Sequence, residues 1–145
     1  MGQIGNAQEF RVRYSEIDRM GTFYNSRALE WFEYGRTELL RAIGTPYARM
    51  EAQGILLPVI EAHLEYLDRA EYDQRLRMTT SVCMCGKASV RFDVQIDHAD
   101  GQFAGKPVVK GYTVHAVASS SGKPARPPQW FVDALGGQVE QTNGA

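Results

Sequence analysis

The strongest constraint on this chain is a change in the period of its apolar residues. Over residues 8–14, Phe10, Val12 and Tyr14 alternate with Glu9, Arg11 and Arg13, the pattern of a half-buried strand. Residues 15–24 fit neither period and read as a shaped loop. Over residues 26–43 the spacing becomes helical. Ala28, Trp31, Phe32, Gly35, Leu39 and Ala42 or Ile43 share one face, with Arg27, Glu30, Glu33, Arg36 and Glu38 elsewhere. Asn25 or Ser26 can cap this helix, and Gly44 ends it. A glycine inside a helix costs roughly 1 kcal/mol against alanine, so Gly35 implies that the helix lies close against a sheet. Thr45 and Pro46 fit the cap and first position of a short helical turn closed by Gly54.

Alternation then returns. Residues 55–68 predict one long strand, with Ala62, Leu64 and Tyr66 on one face and Glu61, His63 and Glu65 on the other. Residues 75–84 and 89–97 form a hairpin around Gly86 and Lys87, turning Leu76, Met78, Thr80, Val82, Val90, Phe92, Val94 and Ile96 inward. Residues 108–118 are apolar on both faces, as in a central strand covered on both sides. Pro124, Pro127 and Pro128 stop further sheet, and residues 129–135 suit a short helix. One apolar helix face and one apolar sheet face of matching length must bury each other. The expected architecture is α+β: an antiparallel sheet of about five strands curled around one long central helix. The 145 residues fit a single domain, 1–145, with a core over about 8–132 and frayed ends at 1–7 and 136–145.

Composition narrows the partners. A net charge of −1 gives no general attraction to nucleic acid or anionic membrane, so an anionic ligand needs a local basic patch. No segment reaches the ~20 apolar residues of a membrane-spanning helix, and residues 1–7 lack the pattern of a signal peptide. Cys83 and Cys85 are too close for an unstrained bridge, which favours reduced thiols and a cytoplasmic setting. His63, His98 and His115 lack metal-ligand spacing, so no metal is expected.

Four segments in order carry a family resemblance: RYSEIDRMGTFY at 13–24, LEWFEYGRTE at 29–38, PVIEAHLEY at 58–66 and ASVRF at 88–92. Over roughly residues 8–132 the chain resembles the hot-dog-fold acyl-CoA thioesterases related to 4-hydroxybenzoyl-CoA thioesterase. The resemblance implies an acyl-CoA thioester hydrolase with no cofactor beyond the CoA of its substrate. It implies that Asp18, in the Asp-x-x-Gly loop ending at Gly21, attacks the thioester carbonyl or deprotonates the attacking water. It implies that a backbone N–H at Asn25 stabilises the oxyanion, as the free N–H groups and partial positive charge of a helix start favour. It further implies a homodimer or homotetramer with active sites between subunits. Asn25 stands where many relatives of the Tol-Pal-associated branch carry His, and Arg27 and Ala28 replace a common Asn-Tyr. Two other readings keep the fold: hydrolysis of acyl groups on acyl carrier protein, and acyl-ligand binding without turnover.

The remaining candidates each have two readings. Tyr14 faces the acyl group or completes the apolar row of its strand. Phe23, Tyr24 and Trp31 line the acyl pocket or belong to the core. Glu33 approaches the site or pairs with Arg36 one helical turn on. Lys87, Arg91 and Arg126 hold CoA phosphates or are solvated surface charges.

Overall fold

A computed structural model describes residues 4–136. Strand β1, Ile4–Arg11, leads through a 3₁₀ turn at Tyr14–Glu16 and an irregular loop into helix α1, Arg27–Ala42. Helix α2, Tyr47–Ala52, and a two-residue strand β2, Ile55–Leu56, precede β3, Val59–Tyr66. Strands β4 (Arg75–Met84), β5 (Ser89–His98) and β6 (Pro107–Ala116) follow, then β7 (Ala118–Ser119) and α3 (Gln129–Ala134). The main sheet is antiparallel in the order β1-β4-β5-β6-β3, and β2 pairs with β7 beside it. Among the described residues no helix is long and apolar enough to cross a membrane.

Period-2 patterning sets the inner face of the sheet. Leu76, Met78, Thr80, Val82, Val90, Phe92, Val94 and Ile96 are all buried, as their alternation requires. Helix α1 lies across β1, β4 and β5 and divides the core into two clusters. Trp31 and Phe32 anchor the first, beside Met78 and Ile96; Leu39 and Leu40 anchor the second, beside Val82 and Phe92. Gly35 marks the closest approach. A β-carbon there would lie 2.5 Å from Thr80 Oγ1 and 3.1 Å from Met78 Sδ. Gly35→Ala is therefore expected to lose about 1–3 kcal/mol through overpacking, offset in part by roughly 1 kcal/mol of helix propensity. Urea denaturation measures the balance; a variant more stable than wild type would show that the helix is not held tightly at this point.

Several expectations are corrected. Residues 4–7 are not frayed: they extend β1, with Ile4 opposite Val82 and Arg11 opposite Arg75. Residues 1–3 and 137–145 lie outside the described residues. The strand ends before Tyr14, because the Glu16 carboxylate accepts the Arg13 N–H at 2.7 Å and folds the chain into a turn. Ser26 precedes α1 with helical backbone angles and makes no side-chain cap, and Thr45 Oγ1 bonds back to the Leu40 carbonyl near the end of α1 instead of capping α2. The long strand at 55–68 is two pieces, split at Leu57–Pro58, since proline has no N–H for a ladder. Strand β6 is inner but not covered on both sides: Lys110 is exposed, and Tyr112 and Val114 on the same face are half-buried.

Candidate active site

The loop after the 3₁₀ turn is built around Asp18. Its N–H donates to the Thr22 carbonyl at 2.8 Å, its carbonyl accepts the Gly21 N–H at 3.0 Å, and its Oδ1 accepts the Met20 N–H at 2.8 Å. Gly21 turns the chain with φ of +79°, a region that side chains disfavour. The loop is tied to the segment after β3. Phe23 N–H donates to the Ala70 carbonyl at 3.0 Å, Thr22 Oγ1 accepts the Ala70 N–H at 3.1 Å, and Arg69 donates to the Met20 carbonyl at 2.6 Å. Asp68 is fixed in turn by His98, whose Nε2 lies 3.1 Å from both Asp68 Oδ2 and the Arg69 carbonyl. Burial alone would raise the Asp68 pKa. The Arg69 N–H, His98 and Lys106 outweigh it and hold the carboxyl below its ordinary value.

These ties enclose a cleft of about 370 Å³ lined by Asp18, Thr22, Phe23, Tyr24, Asn25 and Tyr66 to Arg69. Its residues Tyr24 and Asn25 lead directly into α1. Arg27 and Ala28 already donate to the Tyr24 and Asn25 carbonyls, at 2.9 and 3.4 Å. Among the described residues, no acceptor takes the N–H of Asn25 or of Ser26. The Tyr66 hydroxyl donates to the Asn25 carbonyl at 2.7 Å and so fixes the peptide plane that carries the Ser26 N–H. Burial raises the Tyr66 pKa, which keeps the hydroxyl protonated as that donor. A carboxylate and the open amide of Asn25 therefore share one cleft, an arrangement suited to adding an oxygen nucleophile to a carbonyl.

The structure brings together Asp18, Phe23, Tyr24 and Asn25, with Gly21 shaping the loop that holds them. It leaves the other candidates outside the cleft. Tyr14 is 75% exposed and meets Tyr72 edge-on at 5.6 Å. Trp31 is buried in the core, 4.9 Å from Phe23 and 5.1 Å from Phe10, because its indole N–H donates inward to Glu16 at 2.8 Å. Arg91 lies on the open sheet face, 3.9 Å over Tyr112 and 3.0 Å from Asp93, beside a hollow of about 640 Å³. Lys87 is exposed in the β4–β5 turn, at the opposite end of that hairpin from His98. Arg126 is exposed on the segment before α3 and does not line the cleft. Among the described residues no three His, Cys, Asp or Glu side chains converge as a metal site.

Sequence reasoning missed Glu16 and the stretch from Tyr66 to Arg69. Glu16 is almost fully buried, yet its carboxylate is matched by the Arg13 N–H at 2.7 Å, the Trp31 indole and the Arg13 guanidinium at 3.1 Å. Burial would raise its pKa; those three donors outweigh burial and lower it. A depressed folded pKa stabilises the fold above the unfolded carboxyl range, and that contribution disappears as pH falls through the folded value. Glu16→Gln should therefore be less stable at neutral pH and lose less on acidification below about pH 4.5. Denaturation midpoints from pH 7 to pH 3 test this; parallel curves for the two proteins would rule it out.

Residues 12–135 match the family model of the Thioesterase-like superfamily. The chain belongs to that superfamily. Its relatives include YneP of Bacillus subtilis, named as a candidate acyl-CoA thioesterase, 39% identical over 67 residues, which are 46% of this chain and 49% of YneP. The chain spans about half the length of the curated relatives it matches. The DHNA-CoA thioesterase of Staphylococcus aureus is similar in structure, with a TM-score of 0.80 at 27% identity over 89% of this chain and 85% of that one. A hypothetical protein of Thermus thermophilus gives a TM-score of 0.83 at 25% identity, covering 94% of this chain and 99% of its own. The superfamily member described here has the expected hot-dog fold.

Proposed function

We propose that this superfamily member hydrolyses acyl-CoA thioesters to a carboxylic acid and free CoA at the cleft of Asp18. One observation carries the reading: Asp18 and Asn25, whose N–H meets no acceptor among the described residues, line a single cleft just before α1. The helix start supplies donors and partial positive charge for the oxyanion formed when the thioester carbonyl is attacked. Two routes are open to the carboxylate. As a base, Asp18 takes a proton from water, the hydroxide adds to the carbonyl, and the thiolate of CoA leaves and is protonated. As a nucleophile, Asp18 displaces the CoA thiolate, which is protonated, to form a mixed anhydride; water then opens it to the free acid and the restored carboxylate. Both need the same cleft, and a thioester is reactive enough for either.

The assembly in this reading is a homodimer joined through β3, with pairing into a homotetramer possible through the sheet faces. Strand β3 is an edge, and Val59, Ile60 and Tyr66 on it are about half exposed or more, at 50%, 61% and 49%. An exposed apolar edge is a site for strand pairing. Antiparallel pairing of β3 with its copy sets the Val59 end of one protomer beside the Tyr66 end of the other. It also moves the Lys87 turn toward the partner's cleft, where a cation suits CoA phosphates. The cytoplasmic setting rests on the close spacing of Cys83 and Cys85. Release of free thiol from aliphatic and aryl acyl-CoAs tests the activity. Turnover supports it; a protein that turns over acyl carrier protein thioesters alone, or binds acyl ligands without turnover, replaces it with one of the other two readings.

A further inference from the structure

A second cavity, of about 290 Å³, opens between α1, α2 and the sheet, away from Asp18. Its walls are mostly apolar: Leu40, Leu57, Pro58, Val59 and Phe92. Two of its polar groups are committed. The Tyr47 hydroxyl accepts the Leu57 N–H at 3.2 Å, and His115 bonds the Leu57 carbonyl through Nδ1 and Thr113 Oγ1 through Nε2, both at 2.9 Å. Burial holds the His115 pKa down to about 4, so the ring is neutral at physiological pH.

Glu33, Thr37 and Arg36 are not committed in this way, and Arg36 is the cation among them. Its guanidinium lines this cavity half-buried, and among the described residues it has no hydrogen bond or ion pair. Glu33, expected from its spacing to pair with it, acts on it only at longer range. Desolvation lowers the Arg36 pKa and Glu33 opposes that less strongly, as for a cation stripped of water and not repaid by a contact. Arginine remains charged, and a planar fork of donors above apolar walls suits a hydrocarbon chain ending in a carboxylate.

We propose that this cavity selects acyl groups bearing a terminal carboxylate, with Arg36 binding that carboxylate. The inference rests on the proposed thioesterase reading. Antiparallel pairing of β3 places the cavity, which borders Val59, beside the partner's cleft, which borders Tyr66. The thioester then lies at Asp18 of one protomer while the far end of its acyl chain reaches Arg36 of the other. Arg36 is in this view a specificity residue, acting on the substrate at a distance from the bond that breaks.

The test compares kcat/KM for acyl-CoAs matched in length with and without the carboxylate: glutaryl-CoA against valeryl-CoA and adipoyl-CoA against hexanoyl-CoA. Wild type should favour the carboxylated partner by about 10–100-fold, the range of a charge-assisted pair. Arg36→Met should bring that ratio near unity, and Arg36→Lys should retain part of it. Thermal melts and size-exclusion chromatography establish that each variant keeps its fold and assembly. Should Arg36→Met fail to fold, the wild-type ratio and Arg36→Lys still decide. Turnover of both substrate types with no preference in wild type would overturn the inference and leave the thioesterase reading standing. If no acyl-CoA is turned over, that reading fails instead, and calorimetric titration with adipate and hexanoate decides the cavity. Adipate binding that exceeds hexanoate binding and is lost in Arg36→Met supports the site; equal or absent binding of the two overturns it.

Discussion

Asp18→Asn should reduce thiol release from acyl-CoA by about 10²–10⁴-fold, the usual contribution of a positioned acid or base. That range corresponds to about 3–5.5 kcal/mol of transition-state stabilisation. The substitution is close to a pure test of charge and basicity. An amide oxygen replaces Oδ1 as acceptor of the Met20 N–H, the volume is unchanged, and the backbone bonds to Thr22 and Gly21 are untouched. The loop should therefore persist, which circular dichroism and size-exclusion chromatography verify. Loss of kcat with intact assembly supports Asp18 as base or nucleophile. An active wild type with an equally active Asp18→Asn variant moves the chemistry to another group.

Trp31→Ala should destabilise the fold by about 3–5 kcal/mol, the range for removing a large buried aromatic side chain. The ring fills the space between Phe10 and Phe23, and its N–H is one of three donors to the buried Glu16 carboxylate. Trp31→Phe separates the two effects. It keeps most of the packing and removes the donor, leaving a charged acceptor short of one bond at about 1–3 kcal/mol. Urea denaturation at neutral pH measures both variants. If instead both are as stable as wild type and only KM changes, Trp31 belongs to the acyl pocket, the other of the two readings its place in the sequence allows.

Much of the fold was legible because burial on one face of a regular element leaves a periodic trace. The inward rows of β4 and β5 and the span of α1 follow from alternation and helical spacing, and Gly35 announced its contact with the sheet. Boundaries were read less well where a side chain competes with the periodic backbone. Glu16 ends the first strand through a carboxylate bond to Arg13, and Pro58 divides an otherwise continuous apolar run. Strand β6 reads as doubly covered because Val108, Val114 and Ala116 are apolar, yet among the described residues no helix or second sheet covers its outer face.

The site divides along the same line. Asp18, Gly21, Phe23, Tyr24 and Asn25 lie close together in sequence, so a local motif can signal them, and all but Gly21 line the cleft. Tyr66 to Arg69 join that cleft from more than forty residues away, through Ala70 and the Tyr66 hydroxyl. Arg36 and His115 share a cavity although seventy-nine positions separate them in the chain. The sequence by itself determined which elements form and which face of each must be buried, because those properties repeat along the chain. Tertiary structure alone decided which polar groups distant in the chain are matched and which stay open, as with the Trp31 bond to Glu16 and with Arg36. Bonds such as Trp31 to Glu16 and Tyr66 to Asn25 depend on distances of about 3 Å between residues separated along the chain, and no local pattern encodes them.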